Sequence, residues 1–391
     1  MKAGIVIVGG GIMGSAAAYF LACDGRAGDI VVIEPDPTYA RAATPQGAGG
    51  CRQLFSRPEN VQMSAFSLNF YKDFNDLMSF DGYDAEINFR DRGYLFTVGS
   101  EGAATLEKNT TLQHGEGARV ELLDPADLAA RFPSIGRADV ALACYAPDDG
   151  WIDPHGALQG FRKNAERLGV RYVADRVCDL EISQTGVACA KLEGGGGVSG
   201  DMFLNTAGAW AAEIAAMVGV EVPVQPMCRV QHYWLCDAEI EPLPLIKDES
   251  GMFFRAEGEG WAGGRPSFDI APGFVWDVDR GFFANYFEET VWPLIANRVP
   301  KFESIKLQST WGGHYAQNTF DGNMIIGPLT SAAPNFIAAC GFSGHGIMHA
   351  PAVGRALAEL VLEGRYQSID LARMEFRRVL ENTPYPELGI V

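Results

Sequence analysis

The run Ile5-Val6-Ile7-Val8, followed at once by Gly9, Gly11 and Gly14 in G-x-G-x-x-G spacing, decides how the chain is read. Ser15 to Ala22 then favours a helix, and a second β-branched run, Ile30 to Ile33, ends in Glu34. Strand, glycine turn, helix, strand and acid is the order a dinucleotide site requires. Gly9 permits the tight turn, Gly11 lets backbone approach a pyrophosphate, and Gly14 lets helix and strand pack closely. Ile12 and Met13 lie at the helix N-terminus, whose unpaired N–H groups and partial positive charge favour phosphate. Glu34, about twenty residues past Gly14, is placed to accept hydrogen bonds from ribose hydroxyls. A lone G-x-G-x-x-G also marks ordinary turns, but here every flanking element falls where a nucleotide fold puts it. Ala3 to Cys23 carries no charge and has the length of a membrane span or signal core. Its glycines interrupt the run and it flows straight into the βαβ pattern, so it reads as buried strand and helix.

The 391 residues, 47% apolar and 20% charged, suffice for two domains or for one discontinuous domain wrapped around another. A net charge of −18 with no basic tract argues against nucleic acid. The eight cysteines show neither C-x-x-C nor zinc spacing, which predicts free thiols, a reducing, cytoplasmic setting and no metal.

Past Glu34, the loop Thr44-Pro45-Gln46-Gly47-Ala48-Gly49-Gly50-Cys51-Arg52 suggests backbone drawn close to something flat or charged; alone it equally suits a flexible loop. Helices are expected over Asn60–Phe80, Thr105–Gly115 and Pro154–Leu168, and strands over Asp91–Val98, Val170–Val173 and Asp201–Asn205. Thr206-Ala207-Gly208-Ala209-Trp210 is a second small-residue turn. From Pro223 onward, alternating aromatic-rich runs such as Val230–Leu235, Gly251–Arg255 and Leu307–Tyr315 predict antiparallel strands. A strand at Asn335–Ala339, a glycine-rich loop and a helix over Pro351–Leu362 close the chain, with Pro351 suiting a first helical turn.

Three small-residue turns thus stand where strands end or helices begin: Gly9–Gly14, Thr206–Trp210 and Gly341–Gly346. A nicotinamide site needs only the first. FAD is longer and is held by segments from across a chain, which accounts for all three. A helix N-terminus aimed at the pyrimidine end of the isoalloxazine would stabilise the charge of reduced flavin. Together with Gly49-Gly50-Cys51-Arg52-Gln53, Asp149-Gly150-Trp151-Ile152-Asp153-Pro154, Asn318-Thr319-Phe320-Asp321 and Gly341-Phe342-Ser343-Gly344-His345-Gly346, these turns resemble the D-amino-acid oxidase superfamily of FAD-dependent amine oxidoreductases. That superfamily includes sarcosine, dimethylglycine and glycine oxidising enzymes. Within it the chain is most similar to a mitochondrial member associated with assembly of respiratory complex I.

The resemblance implies an α/β fold of p-hydroxybenzoate-hydroxylase type. A discontinuous Rossmann-type FAD-binding domain would comprise 1–85, 145–222 and 320–391, with a mixed-sheet substrate domain, 86–144 and 223–319, inserted. FAD contacts would come from Ala48 through Gln53, from the backbone of Val177, and from Ala207, Gly208 and Trp210. Gly341, Gly344, His345, Gly346, Ile347 and Met348 would line the ring's pyrimidine side, and Arg52 would lie near the isoalloxazine. Departures from the family pattern carry information too. Monomeric sarcosine oxidase has a flavin-linked cysteine where His314 stands here, so FAD is expected to be non-covalent. Two of that enzyme's basic residues are replaced by Phe55 and Met348, which leaves a substrate carboxylate to be held from elsewhere. Arg265 is the first candidate for a two-pronged grip and Arg255 the second; a solvated turn arginine is the alternative for Arg265. His314 and Tyr315 are expected to approach the flavin face, or else to be sheet residues with satisfied polar tips. His345 reads as a structural hydrogen bonder or as an acid–base group.

The expected reaction is oxidation of a secondary amine or N-substituted amino acid, with hydride passing to flavin N5 and water hydrolysing the imine. No strong base is required, since the amine lone pair expels the hydride; positioning, desolvation and electrostatics remain for the protein. Oxygen or an electron carrier would then take the electrons. The alternatives are oxidation of a 2-hydroxy acid, which would need a general base such as His314, and a non-catalytic flavin-bearing assembly protein.

Overall fold

Strand Ile5–Val8 is buried at all four positions, which explains why its sequence is continuously apolar rather than alternating: both faces of its sheet are covered. The computed structural model, which describes residues 1–266, 270–276, 283 and 285–390, sets this strand in the middle of a six-stranded sheet. Ile30–Ile33 flanks it on one side and Met202–Asn205 on the other, all parallel. Arg171–Val173 extends one edge; Phe336–Cys340 and the antiparallel Ile325–Pro328 extend the other. Because the chain leaves Ile5–Val8 toward one neighbour and returns beside it on the opposite side, a crevice opens at the strand's C-terminal end. In open α/β sheets that is where ligands bind.

Two helices cover the same face of this sheet. Ile12–Asp24 packs so tightly on Gly346–Glu363 that a Cβ on Gly354 would come within 2.8 Å of the Ala16 carbonyl carbon. The C-terminal helix begins at Gly346, five residues before the expected start, and places Pro351 inside it. A proline there has no N–H for the carbonyl four residues back. Tyr71, nearly fully buried, donates its hydroxyl to that carbonyl, Ile347 O, at 2.6 Å. The interruption foreseen as a helix start is thus bridged by a side chain from helix Pro58–Lys72. That helix ends at Lys72, short of the expected Phe80, and a short helix Phe74–Met78 follows.

A second, eight-stranded sheet is dominated by Val224–Cys236 paired antiparallel along its whole length with Ile305–Asn318. Gly260–Gly264, Phe253–Glu257, Leu245–Asp248, Tyr94–Val98, Leu142–Ala146 and Glu121–Leu123 complete it in that order. Alternation divides Tyr94–Val98, Leu245–Asp248 and Phe253–Glu257 between two cores. Tyr94, Phe96, Leu245 and Phe253 point toward the nucleotide-binding segments, whereas Leu95, Ile246, Phe254 and Trp234 pack against helices Pro125–Arg131 and Trp292–Arg298. All eight cysteines are free thiols. Among the described residues, no helix is long and apolar enough to cross a membrane and no acidic, histidine and cysteine cluster would hold a metal.

Candidate active site

The glycine turn is sterically exact. A Cβ on Gly14 would lie 1.9 Å from Gly9 O, and one on Gly9, itself at φ +97°, would lie 2.7 Å from Thr206 O and Ala207 Cα. Gly11 differs: the nearest atom to its Cβ position, Thr44 Oγ1, is 4.0 Å away, so this glycine faces open space. No side chain caps the helix that follows; Ile12 N–H makes a long 3.4 Å bond to Thr44 Oγ1. Open backbone beside an uncapped N-terminus suits a pyrophosphate. Glu34 accepts from Gly10 N–H at 2.8 Å and Asp36 N–H at 3.1 Å, which fixes the turn, and burial raises its pKa.

The loop after the second strand is locked from both sides. Gly49, at φ +72°, packs where a Cβ would strike Ile152 O at 2.0 Å, and Gly50–Cys51 pairs with Gly150–Trp151. Asp149 accepts from Gln53 N–H at 2.9 Å and Gln53 Nε2 at 3.1 Å; burial pushes its pKa up to about 7. From the eight-stranded sheet, Arg255 Nε donates to Ala48 O at 2.7 Å, while Gln231 and Trp311 both donate to Gln46 O. Arg255, expected as a possible substrate anchor, therefore braces this loop and also pairs with Glu257.

Arg52 is the buried cation at the centre. Its guanidinium donates to Leu54 O, lies 3.3 Å from His345 Nε2, and stacks over Phe55 at 4.1 Å and Phe96 at 5.2 Å. Burial lowers its pKa and, first by burial and then through Arg52 itself, lowers those of His345 and His349, the latter to about 3. Both imidazoles are therefore neutral at ordinary pH, and His345 Nδ1 and His349 Nε2 are buried with no hydrogen-bond partner among the described residues. Phe55 fills the space between Arg52 and the two rings, 5.2 Å from His345 and 5.1 Å from His349.

The third turn meets the first. Gly341 and Gly344 adopt φ of +69° and +94°, Ser343 N–H donates to Ala316 O, and Ser343 Oγ accepts from Asn318 N–H. The helix then starts uncapped at Gly346, whose Cβ position is 3.5 Å from Met13 Cε. Two helix N-termini thus converge on one crevice, with Met348 buried just inside. Trp210, from the second turn, stacks on Phe274 at 4.7 Å. Val177 is buried at the start of strand Val177–Ser183, and the thiol of Cys51 is buried and raised in pKa.

His314 and Tyr315, expected side by side at the flavin, are consecutive on a strand and so point to opposite faces. Tyr315 stands beside Gly344, whose Cβ position is 3.8 Å from its ring. His314 Nε2 accepts from Val275 N–H at 2.8 Å, and its ring packs on Trp276 and Phe274. Arg265 turns its Nε to Ser250 O at 2.9 Å, at the end of strand Gly260–Gly264. A residue not singled out from the sequence lies closer to the third turn. Arg229 donates Nε to Tyr315 OH at 2.8 Å, and its guanidinium sits 4.8 Å over that ring. The alternation Met227, Arg229, Gln231 opposite Tyr315, Gly313 and Trp311 is the signal that would have placed it on this face.

The glycine turns and the fold define the class of protein. A family model described as FAD dependent oxidoreductase (DAO) matches residues 4–360, and the chain belongs to that family. Across its whole length it is 38% identical to FAD-dependent oxidoreductase domain-containing protein 1 of Xenopus laevis, covering 85% of that protein. It is 26% identical to mitochondrial sarcosine dehydrogenase of Mus musculus over 96% of this chain and 41% of the other. Its fold matches L-proline dehydrogenase from P. horikoshii with a TM-score of 0.83 at 25% identity, covering 98% of this chain and 99% of that one. The chain is an FAD-dependent oxidoreductase. Its open Gly11 backbone and the two uncapped helix ends fit the cofactor's phosphates and ring.

Proposed function

We propose that the protein oxidises a secondary amine or N-substituted amino acid whose carboxylate is held by Arg229 and Tyr315, with FAD bound non-covalently. The single observation that carries this reading is the 2.8 Å Arg229–Tyr315 bond on the sheet face beside Gly344, next to the crevice where the helix ends converge. A guanidinium already oriented by a phenol loses little freedom when it grips a carboxylate. The names of two relatives, a sarcosine and an L-proline dehydrogenase, both specify secondary amines that carry a carboxylate.

Bound FAD supplies the two-electron acceptor. The chain's own residues do the rest: Arg229 and Tyr315 orient the acid end, Phe55 and Met348 exclude water, and Arg52 places positive charge near the histidines without protonating them. With His345 and His349 neutral and His314 engaged by Val275, no imidazole is set up as a strong base, which suits an amine better than an alcohol. The test is anaerobic bleaching of the bound flavin by sarcosine, L-proline and 2-hydroxyglutarate. An amine should bleach it. Arg229→Met should raise KM for that amine about 10- to 100-fold, the size of one lost charged hydrogen bond. Bleaching by 2-hydroxyglutarate alone would overturn the reading.

A further inference from the structure

Residues 270–276 are fastened to the two long strands of the eight-stranded sheet. Gly273 N–H donates to Pro226 O at 2.8 Å, and Val275 N–H donates to His314 Nε2 at 2.8 Å. From this base, Phe274 and Trp276 hold their rings 5.3 Å apart and nearly parallel. Trp210 stacks 4.7 and 6.1 Å from them, and the tilted His314 ring lies 5.4 and 4.5 Å away. The Arg41 guanidinium sits 4.7 Å over Trp276. Trp276 is nevertheless 41% exposed, so ring and cation contacts, not burial, set its place. The two ends of this series bracket the first glycine turn. Trp210 ends the turn whose Ala207 leaves no room for a Cβ on Gly9 and whose Thr206 Oγ1 donates to Gly9 O at 2.8 Å. Arg41 lies three residues before Thr44, whose Oγ1 stands at the open side of Gly11 and accepts from Ile12 N–H. The stacked rings thus join one flank of the glycine turn to the other.

We propose that residues 274–276 form a strap across the cofactor crevice that holds FAD in place, latched on Arg41 and braced by His314. His314 is then a positioning residue that acts through Val275. An aromatic pair, or a cation over a ring, stabilises the closed strap by a factor of about 2 to 10, so the strap is held by several modest contacts in series. FAD enters and leaves only when these rings part, and weakening any of them speeds exchange.

Flavin fluorescence tests this: release is followed after dilution of the FAD-loaded protein, and uptake after adding FAD to the apoprotein. Trp276→Ala should speed both steps about tenfold or more. Arg41→Met should speed release about 2- to 5-fold. Adding it to Trp276→Ala should change nothing further, because both substitutions act at one contact. His314→Phe keeps a ring in place but removes the acceptor of Val275 N–H, so release should quicken about 2- to 10-fold. Unchanged release in folded Trp276→Ala would overturn the proposal. Faster release with unaltered uptake would overturn it too, by making Trp276 a direct FAD contact, and additive effects of the two substitutions would do so by placing Arg41 on the cofactor itself. Arg41 is exposed, so Arg41→Met decides the matter if Trp276→Ala does not fold: unchanged release there counts against the strap. Neither rate involves the substrate, so the outcome is separate from the amine-oxidation reading.

Discussion

The crevice of the six-stranded sheet and the Tyr315-bearing face of the eight-stranded sheet are built in opposite ways. The first is made of backbone: glycines that admit no Cβ, two helices that begin without caps, a carboxylate that ties down the turn. The second is made of side chains brought together from strands far apart in sequence, with Arg229 on Tyr315, Arg255 on Ala48 and Gln231 on Gln46. On the function proposed above, the phosphates and flat ring that every FAD presents fall to main chain, and what differs between substrates falls to side chains that can be exchanged one at a time.

The largest expected effect breaks the first region. Gly14→Ala forces a methyl into Gly9 O and should cost about 3 kcal/mol or abolish folding, read as a fall in melting temperature and a colourless protein. Its partner experiment sharpens the contrast: Gly11→Ala has room, so apoprotein stability should hold while FAD affinity falls about tenfold, measured by flavin fluorescence titration. Next in size, Tyr71→Phe removes the donor to Ile347 O and should destabilise the protein by about 1–3 kcal/mol, read from denaturant midpoints.

A smaller effect follows pH. Burial raises the pKa of Asp149 to about 7 in the folded protein, against about 4 for an unfolded aspartate. Between those values the folded state holds a proton that the unfolded state has released. The contribution is therefore full below about pH 4 and is lost as pH rises to about 7. Asp149→Asn should flatten that fall in a series of melting curves. Smallest of all, Arg265→Ala should change KM for the amine by no more than about twofold, the range of an ordinary surface substitution. A tenfold rise there, with Arg229→Met unaffected, would transfer the anchor to Arg265.

Main-chain features were legible because their signals are local. Gly9, Gly11, Gly14 and Glu34 lie within one βαβ unit, and Gly14 is required by Gly9 O five residues away, although Gly9 is also hemmed in by Thr206 and Ala207 of the second turn. Pro351 misled because its usual meaning, a helix start, holds only when no neighbour supplies the missing donor; Tyr71 does so from another helix. Tyr315 and His314 could not be ranked from spacing, since the side of a strand that faces the cofactor depends on the pairing with Val224–Cys236. Arg229 was silent for the same reason, and the bond from Arg265 Nε to Ser250 O is likewise a contact that spacing does not reveal.

Since successive residues along Tyr94–Val98, Leu245–Asp248 and Phe253–Glu257 serve separate cores, one side of these strands can be reshaped while the packing on the other side stays in place. A new lineage could swap Leu245 or Phe253 for another shape while Ile246 and Phe254 keep the helices seated.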